Sequence, residues 1–226
     1  MAELPATFDG VRPRVLVVED HPAVREGMAA LLERHGGASV VGQAETPLEA
    51  LARAVELEPD VIVLDLMLGA ADGLALIKDL GNQVPSARVL VFTLQPENVY
   101  AVRCLRAGAR GFVTKNEPVA TLYAAVHTLA RGGMHFSPTV TQAVLESAQG
   151  LAPRARGSVV TLSDRELQVF RLTGLATPTR EIAAELGVSV KTIEAHRENI
   201  KNKLSLHTHA ELTARAAAWL RDPAAS

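Results

Sequence analysis

Five short apolar runs rich in β-branched residues recur in the first half of this chain, at Val15–Val18, Val40–Ala44, Val61–Leu64, Val89–Phe92 and Gly111–Val113. They begin roughly every 21 to 28 residues, the rhythm of repeated strand–helix units. The stretches between them carry apolar residues at helical spacing. Met28, Leu31 and Leu32 do so in Ala23–His35, and Leu48, Leu51 and Val55 in Leu48–Leu57. Leu74, Ile77 and Leu80 follow, then Val99, Val102 and Leu105, and finally Leu122, Val126 and Leu129. Five strands and five helices in strict alternation imply an α/β fold with a parallel sheet covered on both faces. Right-handed crossovers leave few topologies for it.

Two of the runs end in acids: Glu19-Asp20 close the first and Asp65 closes the third. Open α/β sheets hold their chemistry at the carboxyl ends of the strands, so the three acids share one rim. A single strand-end aspartate is more often a cap or a turn residue. Clustered carboxylates, however, are costly unless a cation or proton offsets them, and oxygen ligands suit a hard divalent metal.

The pattern changes after Arg131. Gly132-Gly133 stops the last helix, Ser137-Pro138 starts a short one ending near Gln149, and Gly150–Val160 reads as a flexible tether. The remainder is purely helical. Ser163-Asp164-Arg165-Glu166 is a capping box, and the helix it opens buries Leu167, Phe170 and Leu172 before Gly174. Thr177-Pro178 is a second start signal, for Thr179–Leu186, and Ser189 caps a third helix running to Leu204. A fourth, from His209 to Arg221, carries Leu212, Ala216 and Trp219 on one face. Two short helices joined through Leu186-Gly187-Val188-Ser189 form a helix-turn-helix signature. Charge is uneven between the halves. Residues 1–136 hold 12 Lys+Arg against 16 Asp+Glu, and residues 161–226 hold 9 against 8. A net charge of −2 argues against a wholly basic nucleic-acid coat. Cys104, the single cysteine, rules out an internal disulfide and fits a reducing compartment. No apolar stretch has the length of a membrane span, and Met1–Pro13 lacks a signal peptide's apolar core, so a cytoplasmic protein is expected.

The residues at the strand ends resemble those of a bacterial two-component response regulator of the NarL/FixJ subfamily. Glu19 and Asp20 end strand one and Asp65 ends strand three. Thr93 ends strand four in Val91-Phe92-Thr93, and Lys115 follows strand five in Gly111-Phe112-Val113-Thr114-Lys115. The resemblance covers residues 14–132 and again 160–221. It implies a flavodoxin-like receiver at 14–132 behind a tail at 1–13, and a linker at 133–160 with a short helix. A smaller all-α, four-helix LuxR-type domain would follow at 161–221, then a tail at 222–226. It also implies roles. Asp65 would accept a phosphoryl group from a sensor histidine kinase. Asp20, Asp65, the Met67 carbonyl and, through water, Glu19 would hold Mg²⁺. Lys115 would pair with the phosphoryl oxygens. Thr93 would donate a hydrogen bond to them, and Phe112 would be the aromatic drawn inward. This chain departs from the family in having Gly69 where a proline usually stands four residues after the nucleophile. Phe112 also lacks a phenolic hydroxyl, so a switch through it rests on packing.

The stretch Thr161–Trp219 resembles the LuxR-type domain in Glu181-Ile182-Ala183, Val188-Ser189, Thr192-Ile193, His196-Arg197 and Lys203-Leu204. With Ile193 at the centre of the buried face, Val190, Arg197, Ile200 and Leu204 lie beside it at 3.6 residues per turn. The opposite face would enter the major groove, with Lys191, Glu194, Ala195 and Glu198 reaching base edges. Thr192, Arg197, Lys201 and Lys203 would meet phosphates. His196 falls on the inner side as a packing residue, and the His207/His209 pair belongs to a turn. Leu212, Ala216 and Trp219 either pair two copies, as the family's last helix usually does, or close the domain's own core. The partners implied are double-stranded promoter DNA with a two-fold site, RNA polymerase and a second copy once phosphorylated. Two other readings stand beside this one. One is a phosphorylation-independent regulator with an idle receiver. The other is an aspartyl phosphatase, opposed by Met67 where such enzymes commonly place a second acid.

Overall fold

The computed structural model describes residues 12–69, 71–148 and 157–221. The expected tails, but for Arg12 and Pro13, and most of the tether lie outside them. The chain divides into two compact units, residues 1–97 with 101–141, and residues 98–100 with 142–226.

The first unit follows the alternation read from the sequence: β1 (Arg14–Val18), α1 (Pro22–Arg34), β2 (Ser39–Ala44), α2 (Pro47–Leu57) and β3 (Val61–Leu64). After a small antiparallel hairpin, β4 (Met67–Leu68) and β5 (Ala71–Asp72), come α3 (Gly73–Gln83), β6 (Arg88–Thr93), α4 (Glu97–Ala107), β7 (Gly111–Thr114) and α5 (Val119–Ala130). The parallel sheet has the order β2-β1-β3-β6-β7. Chain order therefore reverses between β1 and β3, the switch point at which such sheets bind ligands. Strand residues alternate between the two faces. Val15, Val17, Val61, Val63, Leu90 and Val113 pack with Met28 and Leu32 of α1 and with Leu122, Val126 and Leu129 of α5. Leu16, Val18, Ile62 and Leu64 point the other way and are also 0% exposed, which is why these runs read as continuously apolar. The sheet register sets Val18 beside Leu64, and Leu64 beside Val91. The residues that follow β1 and β3 thus emerge side by side.

The helix α6 (Pro138–Ala148) begins in the first unit and ends in the second, which is helical and has a single 3₁₀ turn at Val159–Thr161. Next come α7 (Asp164–Gly174), α8 (Thr179–Glu185), α9 (Val190–Leu204) and α10 (His209–Arg221). Ser163 caps α7 in a reciprocal box with Glu166. Thr177 does not cap α8. Pro178 is itself the N-cap, in extended conformation, without a side-chain bond. Gly174 lets α7 and α10 approach closely, since a Cβ there would stand 2.7 Å from the Ala216 backbone. Phe170 and Trp219 fill that interface with ring centroids 5.7 Å apart. Among the described residues no helix is long and apolar enough to cross a membrane.

Candidate functional site

Because β1, β3, β6 and β7 lie side by side and all run one way, their carboxyl ends gather Glu19, Asp65, Thr93 and Lys115. The backbone fixes them there. Glu19 N donates to Ala44 O, Asp65 N to Val18 O, and Lys115 N to Thr93 O. Glu19 and Thr93 are fully buried and Asp65 is 6% exposed. Lys115 reaches across the rim, its Nζ 2.5 Å from Asp65 Oδ2 and 2.6 Å from Glu19 Oε2. Burial alone would depress the Lys115 ammonium. The two carboxylates outweigh that and hold its pKa above the ordinary lysine value. Asp65 Oδ1 accepts from Met67 N at 3.2 Å, and Thr93 Oγ1 from Gln95 N at 3.3 Å.

Asp20 is held differently. Its Oδ2 accepts from Gly69 N at 2.9 Å, and its Oδ1 lies 2.8 Å from His21 Nδ1. Burial pushes this carboxyl up, but the Gly69 amide and the His21 ring together hold it below the usual range. The same acids raise His21 above an ordinary histidine. His21 was not among the residues expected at the rim. Its adjacency to Glu19-Asp20 was the only signal, and its exposed ring makes it the outer edge of the site. Arg25 was also unforeseen. It donates through Nη1 to Glu19 O at 2.7 Å and lies 3.5 Å from Glu45. Phe112 lies inward at 2% exposure.

The charge balance tests whether a metal fits. Glu19, Asp20 and Asp65 bring three carboxylates against the single ammonium of Lys115, leaving two negative charges uncompensated while His21 is neutral. Among the described residues Glu19, Asp20 and His21 offer ligand atoms within 4.8 Å of one another. Hard oxygen donors in surplus over cations are a suitable set for a hard divalent ion.

The second unit presents α9. Its outer face exposes Lys191, Glu194, Ala195, Glu198, Asn199 and Asn202, while Ile193, Ile200 and Leu204 are buried. Val190, expected on the buried side, is 43% exposed at the helix start. Thr192 is half-buried, its hydroxyl 2.8 Å from Ser189 Oγ. Three cations expected to face phosphates are instead paired with acids of the same unit. Arg197 is 5% exposed; its Nη1 donates to Thr179 Oγ1 at 2.7 Å and to Glu194 at 3.2 Å, tying α9 to α8. Lys203 Nζ lies 2.6 Å from Glu166 Oε2, which also accepts from Ser163 N at 2.7 Å. Lys201 lies 2.8 Å from Glu198. Arg197 is therefore an inward-facing residue in this structure. Leu212, Ala216 and Trp219 are likewise 0–2% exposed against the unit's own helices. They pack into its core. His196 is half-buried, and His207 N donates to Glu211 in the turn before α10.

Comparison with known proteins places both units. The pattern described as "Response regulator receiver domain" matches residues 15–127, and "Bacterial regulatory proteins, luxR family" matches residues 160–216. Response regulator GacA of Pseudomonas viridiflava is 33% identical, over 88% of this chain and 92% of that protein. The chain belongs to the response regulators of NarL/FixJ type. Oxygen regulatory protein NreC of Staphylococcus carnosus is 31% identical to this response regulator, over 88% of this chain and 94% of the relative. Among solved structures, RcsB from Salmonella enterica serovar Typhimurium, bound to promoter rprA in the presence of phosphomimetic BeF3−, superposes with a TM-score of 0.70. It is 25% identical over 92% of this chain and 99% of RcsB. The fold is accordingly a flavodoxin-like receiver followed by a helical LuxR-type domain, the organisation of transcriptional regulators.

Proposed function

We propose that Asp65 is the phosphoacceptor of a sensor histidine kinase and that its phosphorylation controls promoter binding through α9. The observation that carries this reading is the Lys115 ammonium, 2.5 Å from Asp65 and 2.6 Å from Glu19, with all three side chains largely buried. A buried carboxylate with an adjacent cation is a nucleophile whose product charge is already anticipated. One Asp65 oxygen bonds to phosphorus as the donor's P–N bond breaks, and the histidine nitrogen keeps the departing electron pair. Lys115 then faces phosphoryl oxygens in addition to carboxylates, and the Thr93 hydroxyl can donate to one of them. Glu19 (through water), Asp20, Asp65 and the Met67 carbonyl would hold Mg²⁺, which when bound supplies positive charge to the transferring group. Arg25 and the Gly69 amide keep the flanking loops in place.

On the DNA side, Lys191, Thr192, Glu194, Ala195 and Glu198 occupy the face of α9 that would enter the major groove. Lys201 and Lys203 can meet phosphates only by leaving Glu198 and Glu166, so modest affinity per copy follows. Two copies on a two-fold promoter site would raise it. One solved structure is of two RcsB dimers bound to two parallel DNAs, and a homodimer acting at RNA polymerase in the cytoplasm is the corresponding reading here. Because Leu212, Ala216 and Trp219 are inside the fold, pairing through α10 would use its opposite side.

The experiment is selection of bound DNA sequences, followed by affinity measurement, with and without acetyl phosphate and Mg²⁺, in wild type and Asp65→Asn. Wild type should enrich a two-fold motif and bind it about ten-fold more tightly with the donor, and Asp65→Asn should not respond. Equal binding in all arms would replace this reading with a phosphorylation-independent regulator. Loss of specific binding everywhere would remove the transcription-factor reading altogether.

A further inference from the structure

We infer that the backbone amide of Gly69 is a positioning group for the acidic rim: it orients Asp20 and ties the loop after β3 to the end of β1. The inference rests on the reading of that rim as a divalent-cation site. Asp20 lies beyond the end of β1 with its side chain 27% exposed, so packing alone does not fix its rotamer. Its two oxygens are fixed by different partners, Oδ2 by Gly69 N at 2.9 Å and Oδ1 by the His21 ring at 2.8 Å. A carboxylate offers about four lone-pair sites, so two remain for a cation while both bonds persist.

The bond joins residues 49 apart in sequence and belongs to a series along one loop. Asp65 Oδ1 accepts from Met67 N at the start of that loop, and Asp72 Oδ1 from Leu74 N at its end. Gly69 is the point between them that reaches across to the other acidic strand end. The sequence at this position is needed twice over. Gly69 has φ +61°, in the left-handed region, which proline cannot adopt, and it supplies an N–H, which proline lacks. The glycine that stands where the family usually has proline thus provides a bond to a candidate metal ligand that proline could not make. Partners behind a metal's ligands commonly alter its affinity by about 10–100-fold.

A Cβ at Gly69 would meet nothing within 4 Å, so Gly69→Ala keeps the N–H at a backbone strain only, whereas Gly69→Pro removes both N–H and conformation. The test uses full-length protein and Mg²⁺ alone, titrated by calorimetry, together with the Gly69 amide resonance in ¹⁵N spectra. Wild type and Gly69→Ala should bind with similar affinity, and Gly69→Pro about ten-fold more weakly. The Gly69 amide proton should move upfield in Asp20→Ala. Equal Mg²⁺ affinity in Gly69→Pro and wild type would overturn the inference, as would a Gly69 amide indifferent to Asp20→Ala. Should Gly69→Pro fail to fold, the amide shift decides alone. Wild type that takes up no Mg²⁺ would instead refute the cation-site reading, and the amide shift would still decide whether Gly69 holds Asp20.

Discussion

Replacing Lys115 by methionine keeps most of the side chain's volume and removes the ammonium that touches both Glu19 and Asp65. Those carboxylates are 1% and 8% exposed and the lysine 13%, so solvent screens little of what is lost. Removing one partner of a buried ion pair destabilises by about 3–5 kcal/mol. The Lys115 pKa is raised on folding, so its contribution is complete below the unfolded lysine value and is lost only as pH rises through the higher folded one. It is flat between pH 5.5 and 7.5. Urea unfolding followed by far-ultraviolet circular dichroism reads both units together. Trp219, the sole tryptophan, reports on the second. Lys115→Met should lose about 3–5 kcal/mol at pH 7.5. A variant as stable as wild type would refute the reasoning.

Lys203→Met should destabilise the second unit by about 1–2 kcal/mol in Trp219 fluorescence, because Glu166 stays buried without its cation. Burial raises the Glu166 carboxyl, but Lys203 and Ser163 bring it below its unfolded value. The contribution is therefore present above that unfolded value and lost as pH falls through the folded one, so the difference between Lys203→Met and wild type should shrink in acid. Arg197→Ala should cost about 2–3 kcal/mol through lost packing and the lost α8–α9 tie, yet leave the salt dependence of DNA affinity unchanged. Lys191→Ala, exposed on the outer face, should lower that slope by about 0.9 if it meets a phosphate and leave it unchanged if it reads a base. Trp219→Ala should destabilise the second unit by about 3–5 kcal/mol at any protein concentration, since the ring packs on Phe170 within one copy; a loss confined to concentrated, dimeric samples would contradict this.

The sheet was legible because buried parallel strands are forced to be continuously apolar, so Val15–Val18 and Val61–Leu64 stand out and their ends mark Glu19 and Asp65. What escaped has physical causes. The β4–β5 hairpin has two residues per strand, too few for a period. The Gly69–Asp20 bond is made by a backbone amide, which carries no residue signature. Helical geometry gave the direction in which Arg197 and Lys203 leave α9, but their long stems let the charged head turn toward an interior acid as readily as toward solvent. For α10 the periodicity of Leu212, Ala216 and Trp219 marked an apolar face without saying what covers it. Gly174 decides that, because only a residue without a Cβ admits the Ala216 backbone so close to α7.

The most direct measurement is intact-mass and peptide mass spectrometry of the full chain after acetyl phosphate and Mg²⁺, with Asp65→Asn treated in parallel. A single phosphoryl adduct on the peptide containing Asp65, removed by base and by hydroxylamine and absent from the variant, is the predicted result. No adduct in wild type, or one that persists in Asp65→Asn, would contradict the account.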